Sequence, residues 1–220
     1  MQNDNFSINS KEIYENILPD GSFLGQLGPR EWKRFEDTVK YVPKNTKSLL
    51  DVGCFCGEWL HFVLQKRPSI ENHLGIDVAQ NKIDKAKEKY PELNLKAIYA
   101  EQLDFAPNSF DIVTCLEVLE HIPDWLKVFH SLFHFARHRV LIGVPYREKT
   151  QYTCCVNCGK STPLWGHLRS YTEDSFPQLK GWSLSFTKLY DKDPSRIFAY
   201  RIYSRFFNPR WLLAKYERNG

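Results

Sequence analysis

The side chains best suited to chemistry fall in three short stretches. In the first, Asp51-Val52-Gly53 leads to Gly57, an acid followed by two glycines four residues apart. In the second, Glu117-Val118-Leu119-Glu120-His121, two carboxylates and an imidazole sit close together. Offsets of three and four place all three on one face if the segment is helical. Such a face can ligate a Mg²⁺-type ion, which would hold both hydroxyls of a diol and lower the pKa of one. His121 alone offers another chemistry, because imidazole accepts a proton near neutral pH. The third stretch is Cys154-Cys155-Val156-Asn157-Cys158-Gly159, where Cys-x-x-Cys-Gly has the form of a zinc knuckle. Only three cysteines are local, and adjacent Cys154 and Cys155 seldom reach one metal. Zinc at Cys155 and Cys158 therefore competes with a loop of free thiols.

These groups need elements to hold them. Apolar runs predict strands at Ser48–Val52, His73–Asp77, Leu95–Ala100, Phe110–Cys115 and Arg139–Val144. Helical spacing predicts helices at Lys11–Leu18, Arg30–Val42, Glu58–Lys66, Gln80–Lys89 and Trp125–Ala136. This alternation is that of an α/β, doubly wound, mostly parallel sheet. Trp182–Tyr190 and Ser195–Tyr203, separated by the turn residues Asp191–Pro194, read as a closing antiparallel hairpin, for seven strands in all. Residues 1–220 read as one domain, with an N-terminal helical or lid segment at 1–43. Residues 146–171 form a loop insertion that includes the cysteines, and 204–220 a basic, aromatic tail of amphipathic character.

Composition narrows the partners. The formal net charge of +4 is modest and argues against strong phosphate binding, which usually shows as a dense basic patch. No apolar run is long enough to span a membrane, and Met1–Ser10 lacks the features of a secretory signal, so the expected location is cytoplasmic. Cys54, Cys56 and Cys115 lie in apolar or glycine-turn context and read as reduced core or near-site thiols.

A glycine turn after the first strand and an acid, Asp77, ending the second suit a ribose-bearing cofactor, NAD or S-adenosylmethionine alike. The turn is Asp51-x-Gly53-x-x-x-Gly57 and not Gly-x-Gly-x-x-Gly, which favours the second. Taken in order, Leu-Asp-Val-Gly-Cys…Gly, Gly-Ile-Asp, Asn-Ser-Phe-Asp-Ile-Val and Glu-Val-Leu-Glu-His-Ile-Pro-Asp resemble the class I S-adenosylmethionine-dependent methyltransferases, especially their small-molecule branch. The resemblance covers residues 45–145. It implies that Asp51, Gly53 and Gly57, with Cys54 between the glycines, surround the methionine portion. It places Asp77 at the ribose, Val78 beside the adenine and Glu101, Gln102 and Leu103 around it. Leu116 and Glu117 then close the site near the sulfonium. The chain departs from the family at Phe55, which replaces a turn glycine, and at Tyr99, which stands where an acid often contacts the adenine amine.

The resemblance implies methyl transfer, and the expected acceptor is the hydroxyl of a small or saccharide-like molecule. His121 is the first candidate base, with Glu117 beside it. The Glu-x-x-Glu-His string also resembles the metal site of small-RNA 2′-O-methyltransferases and of some ubiquinone-pathway O-methyltransferases. In the RNA enzymes a later histidine completes the set, which corresponds here to His167. The set is then Glu117, Glu120, His121 and His167, and ribose methylation of RNA is the alternative activity. From another class, a binding protein that keeps the fold without the activity is the rival reading, with Phe55 and Tyr99 as its support. Trp165, His167, Arg169 and Tyr171 are the expected acceptor contacts.

Overall fold

The computed structural model describes residues 27–154, 159, 161–190 and 209–220. Helix α1 is Pro29–Val39, strand β1 Ser48–Val52, α2 Glu58–Lys66, β2 Asn72–Asp77, α3 Gln80–Lys89 and β3 Leu95–Ala97. There follow β4 Phe110–Leu116, α4 Trp125–Phe135, β5 Ala136–Pro145, β6 Tyr152–Cys154, β7 Ser161–Pro163, β8 Trp182–Leu189 and β9 Trp211–Arg218. Among the described residues seven strands share one sheet in the order β3-β2-β1-β4-β5-β9-β8, while β6 and β7 pair separately. Strands β1 to β5 run parallel and β9 lies antiparallel to both neighbours. This is the expected doubly wound sheet. Among the described residues no helix is long and apolar enough to cross a membrane.

The two-residue period of β1 explains its central position. All five of its residues are buried. Leu50 and Val52 pack on one face with α4 residues Phe129 and Leu132. Leu49 packs on the other with Phe35 of α1, Leu60 of α2 and Ile83 of α3. Covering both faces is what keeps a parallel sheet buried. Strand order reverses between β1 and β4, so a crevice opens beyond their carboxyl ends. Asp51, Asp77 and Leu116 stand at those ends.

The C-terminal part departs from expectation. The predicted helix Lys11–Leu18, the turn Asp191–Pro194 and the strand Ser195–Tyr203 lie outside the described residues. The partner of β8 is Trp211–Arg218, drawn from the tail that reads as amphipathic. Its apolar run divides between the two faces. Leu212, Ala214 and Tyr216 join the α4 side, and Trp211 and Leu213 join the α1–α3 side. Tyr216 then meets Phe133 edge-on, ring centroids 4.7 Å apart. The expected strand Leu95–Ala100 stops at Ala97 and gives way to a 3₁₀ turn at Ala100–Gln102. The loop insertion contains the β6–β7 pair.

Asp111 fixes the base of the sheet. Its Oδ2 accepts from the backbone N–H of Lys47 at 2.8 Å and Ser48 at 3.1 Å, and its Oδ1 accepts from Arg137 at 2.7 Å. Asp111→Ala strands those amides at a buried edge, and stability should fall by about 1–3 kcal/mol in urea denaturation. An unchanged midpoint would show that solvent satisfies them.

Candidate active site

The loop after β1 is shaped by close approach. Gly53 and Cys54 both donate their N–H to the carbonyl of Ile76 at 2.8 Å. Gly53 has φ +77°, and a Cβ there would lie 2.1 Å from Val118 Cγ2, so only glycine fits beneath the segment that follows β4. Phe55 also sits in the left-handed region, at φ 48°. A side chain there costs about 1–2 kcal/mol. Two contacts hold it. The Phe55 N–H donates to Asp77 Oδ2 at 2.9 Å, and Lys82 Nζ lies 5.7 Å from the ring centroid. Asp77 Oδ1 meanwhile accepts the Ala79 N–H at 2.9 Å, at the start of α3.

Above this loop lies a cavity of about 640 Å³. Among the expected cofactor residues, Asp51, Gly53, Cys54, Asp77, Val78, Glu101 and Leu116 line it, together with Phe55 and Tyr99. Three others are not in the lining. Gly57 faces the Leu93 side chain, Leu103 packs against the core, and Gln102 closes the 3₁₀ turn. The wall carries six carboxylates, Glu31, Asp51, Glu58, Asp77, Glu101 and Glu117, against one Lys or Arg side chain, Arg34. Such a surface favours a cationic ligand with one anionic group. Burial pushes the Asp51 carboxyl up to about 7, although Thr114 Oγ1 donates to its Oδ1 at 2.7 Å. Burial also raises Asp77, opposed by the amides it accepts.

The expected helical face of Glu117, Glu120 and His121 does not form. Glu117 has φ 59°, and only Leu119–His121 turn, as a 3₁₀ helix. Glu117 Oε2 instead accepts from Trp211 Nε1 at 2.9 Å and lies 3.5 Å from Arg34. A different group gathers. One ligand atom each from Glu120, His121 and His167 lie within 4.8 Å of one another, and Glu117 is not among them. Glu120 is fully buried, and among the described residues neither carboxylate oxygen has a hydrogen-bond partner. Burial and the charge of Glu117 drive its carboxyl well above the usual range. His121 lines the cavity, with Nδ1 3.3 Å from the Gly166 carbonyl. Burial and the neighbouring His167 lower its pKa to about 3, so the ring stays neutral.

The residues expected to contact the acceptor separate. Trp165 lines the cavity and is 72 % exposed. Arg169 instead donates to the carbonyls of Leu119, Ile122 and Pro123, holding the turn that carries Glu120 and His121. Tyr171 is buried against Trp125 and Phe176. Cys54, Cys56 and Cys115 are buried free thiols, while Cys155 and Cys158 lie outside the described residues. Arg34, Trp211 and Glu148 carry no local sequence signal. Tertiary packing alone brings them to the site.

Residues 50–141 match the sequence profile of a family described as a methyltransferase domain. Over those residues the chain carries a methyltransferase domain. The methyltransferase domain is similar to a ubiquinone biosynthesis O-methyltransferase of Histophilus somni, 29% identical over 51% of this chain and 50% of that one. It is similar to a demethylmenaquinone methyltransferase of Bacillus licheniformis, 27% identical over 56% of this chain and 53% of that one. The chain thus spans about half the length of the curated relatives it matches. Its fold matches that of an S-adenosylmethionine-dependent methyltransferase from Mesorhizobium loti, with TM-score 0.60, 13% identity, and coverage of 86% of this chain and 98% of that one.

The buried acids of the methyltransferase domain make stability depend on pH. Folded Asp51 keeps its proton up to about pH 7, whereas an ordinary aspartate releases it near 3.8. The unfolded chain binds fewer protons in that window, so stability falls as pH rises through it and levels off above. Asp51→Asn should flatten part of this fall in urea midpoints measured across the window. An equal fall in the variant would assign the dependence to Asp77 and the other buried acids.

Proposed function

We propose that this chain methylates an oxygen of a small molecule carrying adjacent hydroxyls, diol- or saccharide-like, using S-adenosylmethionine. The observation that supports this reading is the juxtaposition of the acid-lined cavity with the Glu120–His121–His167 group, which meets it at His121. Asp77 ends β2 and His121 lies five residues past the end of β4, strands separated only by β1. The ends of those two strands are therefore about 10 Å apart across the sheet.

S-adenosylmethionine supplies a methyl group on a cationic sulfur, which moves to the acceptor in one displacement. The chain's own residues bind and align. Asp51, buried and acidic, complements positive charge at the methionine end. Arg34, already paired with Glu117, is the one Lys or Arg side chain of the wall that a carboxylate could reach, and its Nε is buried with no hydrogen-bond partner among the described residues. Asp77 accepts from ribose hydroxyls, since each carboxylate oxygen has more than one lone pair. Val78, Tyr99 and Glu101 border the base. Alignment of acceptor and methyl supplies most of the rate.

The donor set Glu120, His121 and His167 suits a divalent ion, because a buried carboxylate without hydrogen-bond partners faces two imidazoles. Held there, the ion supplies the Lewis acidity that lowers an acceptor hydroxyl's pKa. His121 serves better as ligand than as base, because a pKa of about 3 lies far from neutral.

A screen of catechols, saccharides and RNA 3′-terminal riboses with methyl-labelled cofactor tests the reading. Transfer to a vicinal diol, suppressed by chelator, is the expected result. His121→Ala should lower turnover by about 10²-fold or more and leave cofactor affinity by calorimetry nearly unchanged. No binding of S-adenosylmethionine at millimolar concentration would leave the binding-protein alternative. Full turnover in chelator would remove the ion.

A further inference from the structure

Glu148 lies three residues beyond the end of β5, outside every motif of the site, and its carboxylate Oε2 contacts His167 Nδ1. A carboxylate oxygen accepts, so this contact calls for an N–H at His167 Nδ1. His121 has the same arrangement. Its Nδ1 meets the Gly166 carbonyl at 3.3 Å, and a carbonyl also only accepts. In both rings an N–H at Nδ1 leaves Nε2 as the nitrogen that can offer a lone pair. For His121 that nitrogen lies 3.9 Å from Glu120 Oε1. Glu120 is the buried carboxylate whose two oxygens have no hydrogen-bond partner among the described residues.

We propose that Glu148 is a positioning residue for the ion site: it orients His167 and fixes its tautomer so that Nε2 faces Glu120 and His121. The inference rests on the ion-binding reading above. It also revises which acids serve that site. Glu117, placed in the ligand set by sequence spacing, is held by Trp211 and Arg34. Glu148, which the spacing does not mark, supports the set from outside. An outer carboxylate on a ligating imidazole commonly contributes 10- to 100-fold in metal affinity.

Calorimetry with Mn²⁺ on the full chain tests this. Mn²⁺ is chosen because the thiols of Cys154, Cys155 and Cys158 prefer softer ions such as Zn²⁺. Glu148→Ala should weaken Mn²⁺ binding by about 10- to 100-fold. Glu148→Gln, whose amide oxygen still accepts from Nδ1, should recover part of that loss. Nitrogen-resolved NMR of the histidine rings in chelator should show His167 protonated on Nδ1 in the parent and redistributed in Glu148→Ala. That readout does not depend on any ion. Parent-like Mn²⁺ affinity in a folded Glu148→Ala, or a parent His167 protonated on Nε2, overturns the role of Glu148 alone. A parent chain that binds S-adenosylmethionine but not Mn²⁺ overturns the ion reading and this inference with it.

Discussion

The site is built on the Asp77 carboxylate. One oxygen accepts the Phe55 amide and the other the Ala79 amide, so the loop after β1 and the start of α3 meet on one side chain. Burial alone would neutralise such a group, and the amides oppose that. Removing the carboxylate would leave two amides unpaired and release the left-handed turn at Phe55. The rest follows by packing. Gly53 can lie directly under Val118 only while this loop keeps its course. Through Val118, the loop after β1 sets the height of the segment that carries Glu120 and His121.

Phe55 shows how the chain accommodates a residue that its turn disfavours. A glycine there would avoid a cost of about 1–2 kcal/mol. The phenyl ring instead forms part of the cavity wall, and the buried Lys82 places its ammonium beside the ring face. The cavity persists at about 640 Å³ with the ring in its wall. A larger side chain at this point narrows the site without filling it.

What the sequence made legible follows from the range of each interaction. Strand β1 and helices α2 and α3 were readable to the residue, because periodicity and glycine punctuation are local. The positions of Asp51 and Asp77 at strand ends were readable for the same reason, since each closes an apolar run. Strand β9 was not. Trp211-Leu212-Leu213-Ala214 is too short to reveal a period, and only pairing with β5 and β8 assigns it a conformation. Glu117 misled for a related reason. The spacing Glu-x-x-Glu-His assumes a helix, but the Glu117 N–H still donates to the Gly143 carbonyl at 2.8 Å. The residue remains tied to the sheet, and its side chain follows β9 and α1. Arg34 and Glu148 had no signal at all, because what brings them to the site is the packing of distant segments.

The break at Glu117 also solves an electrostatic problem. Had 117–121 formed one helix, both glutamates would have faced the same ligand and left the Arg34 guanidinium without its acid. A guanidinium, a cationic cofactor and a divalent ion in one cavity repel one another unless carboxylates are divided among them. The left-handed step at Glu117 makes that division. Glu117 neutralises Arg34, whose ring-face contact with Trp211 at 5.2 Å fixes it further. In the proposed reading Asp51 and Asp77 then remain for the cofactor, and Glu120 for the ion. Three carbonyl bonds from Arg169 then hold the following turn, so that the two acids of the motif stay committed to different charges. The two acids of the motif thus take different partners, and the backbone angle of a single residue separates them.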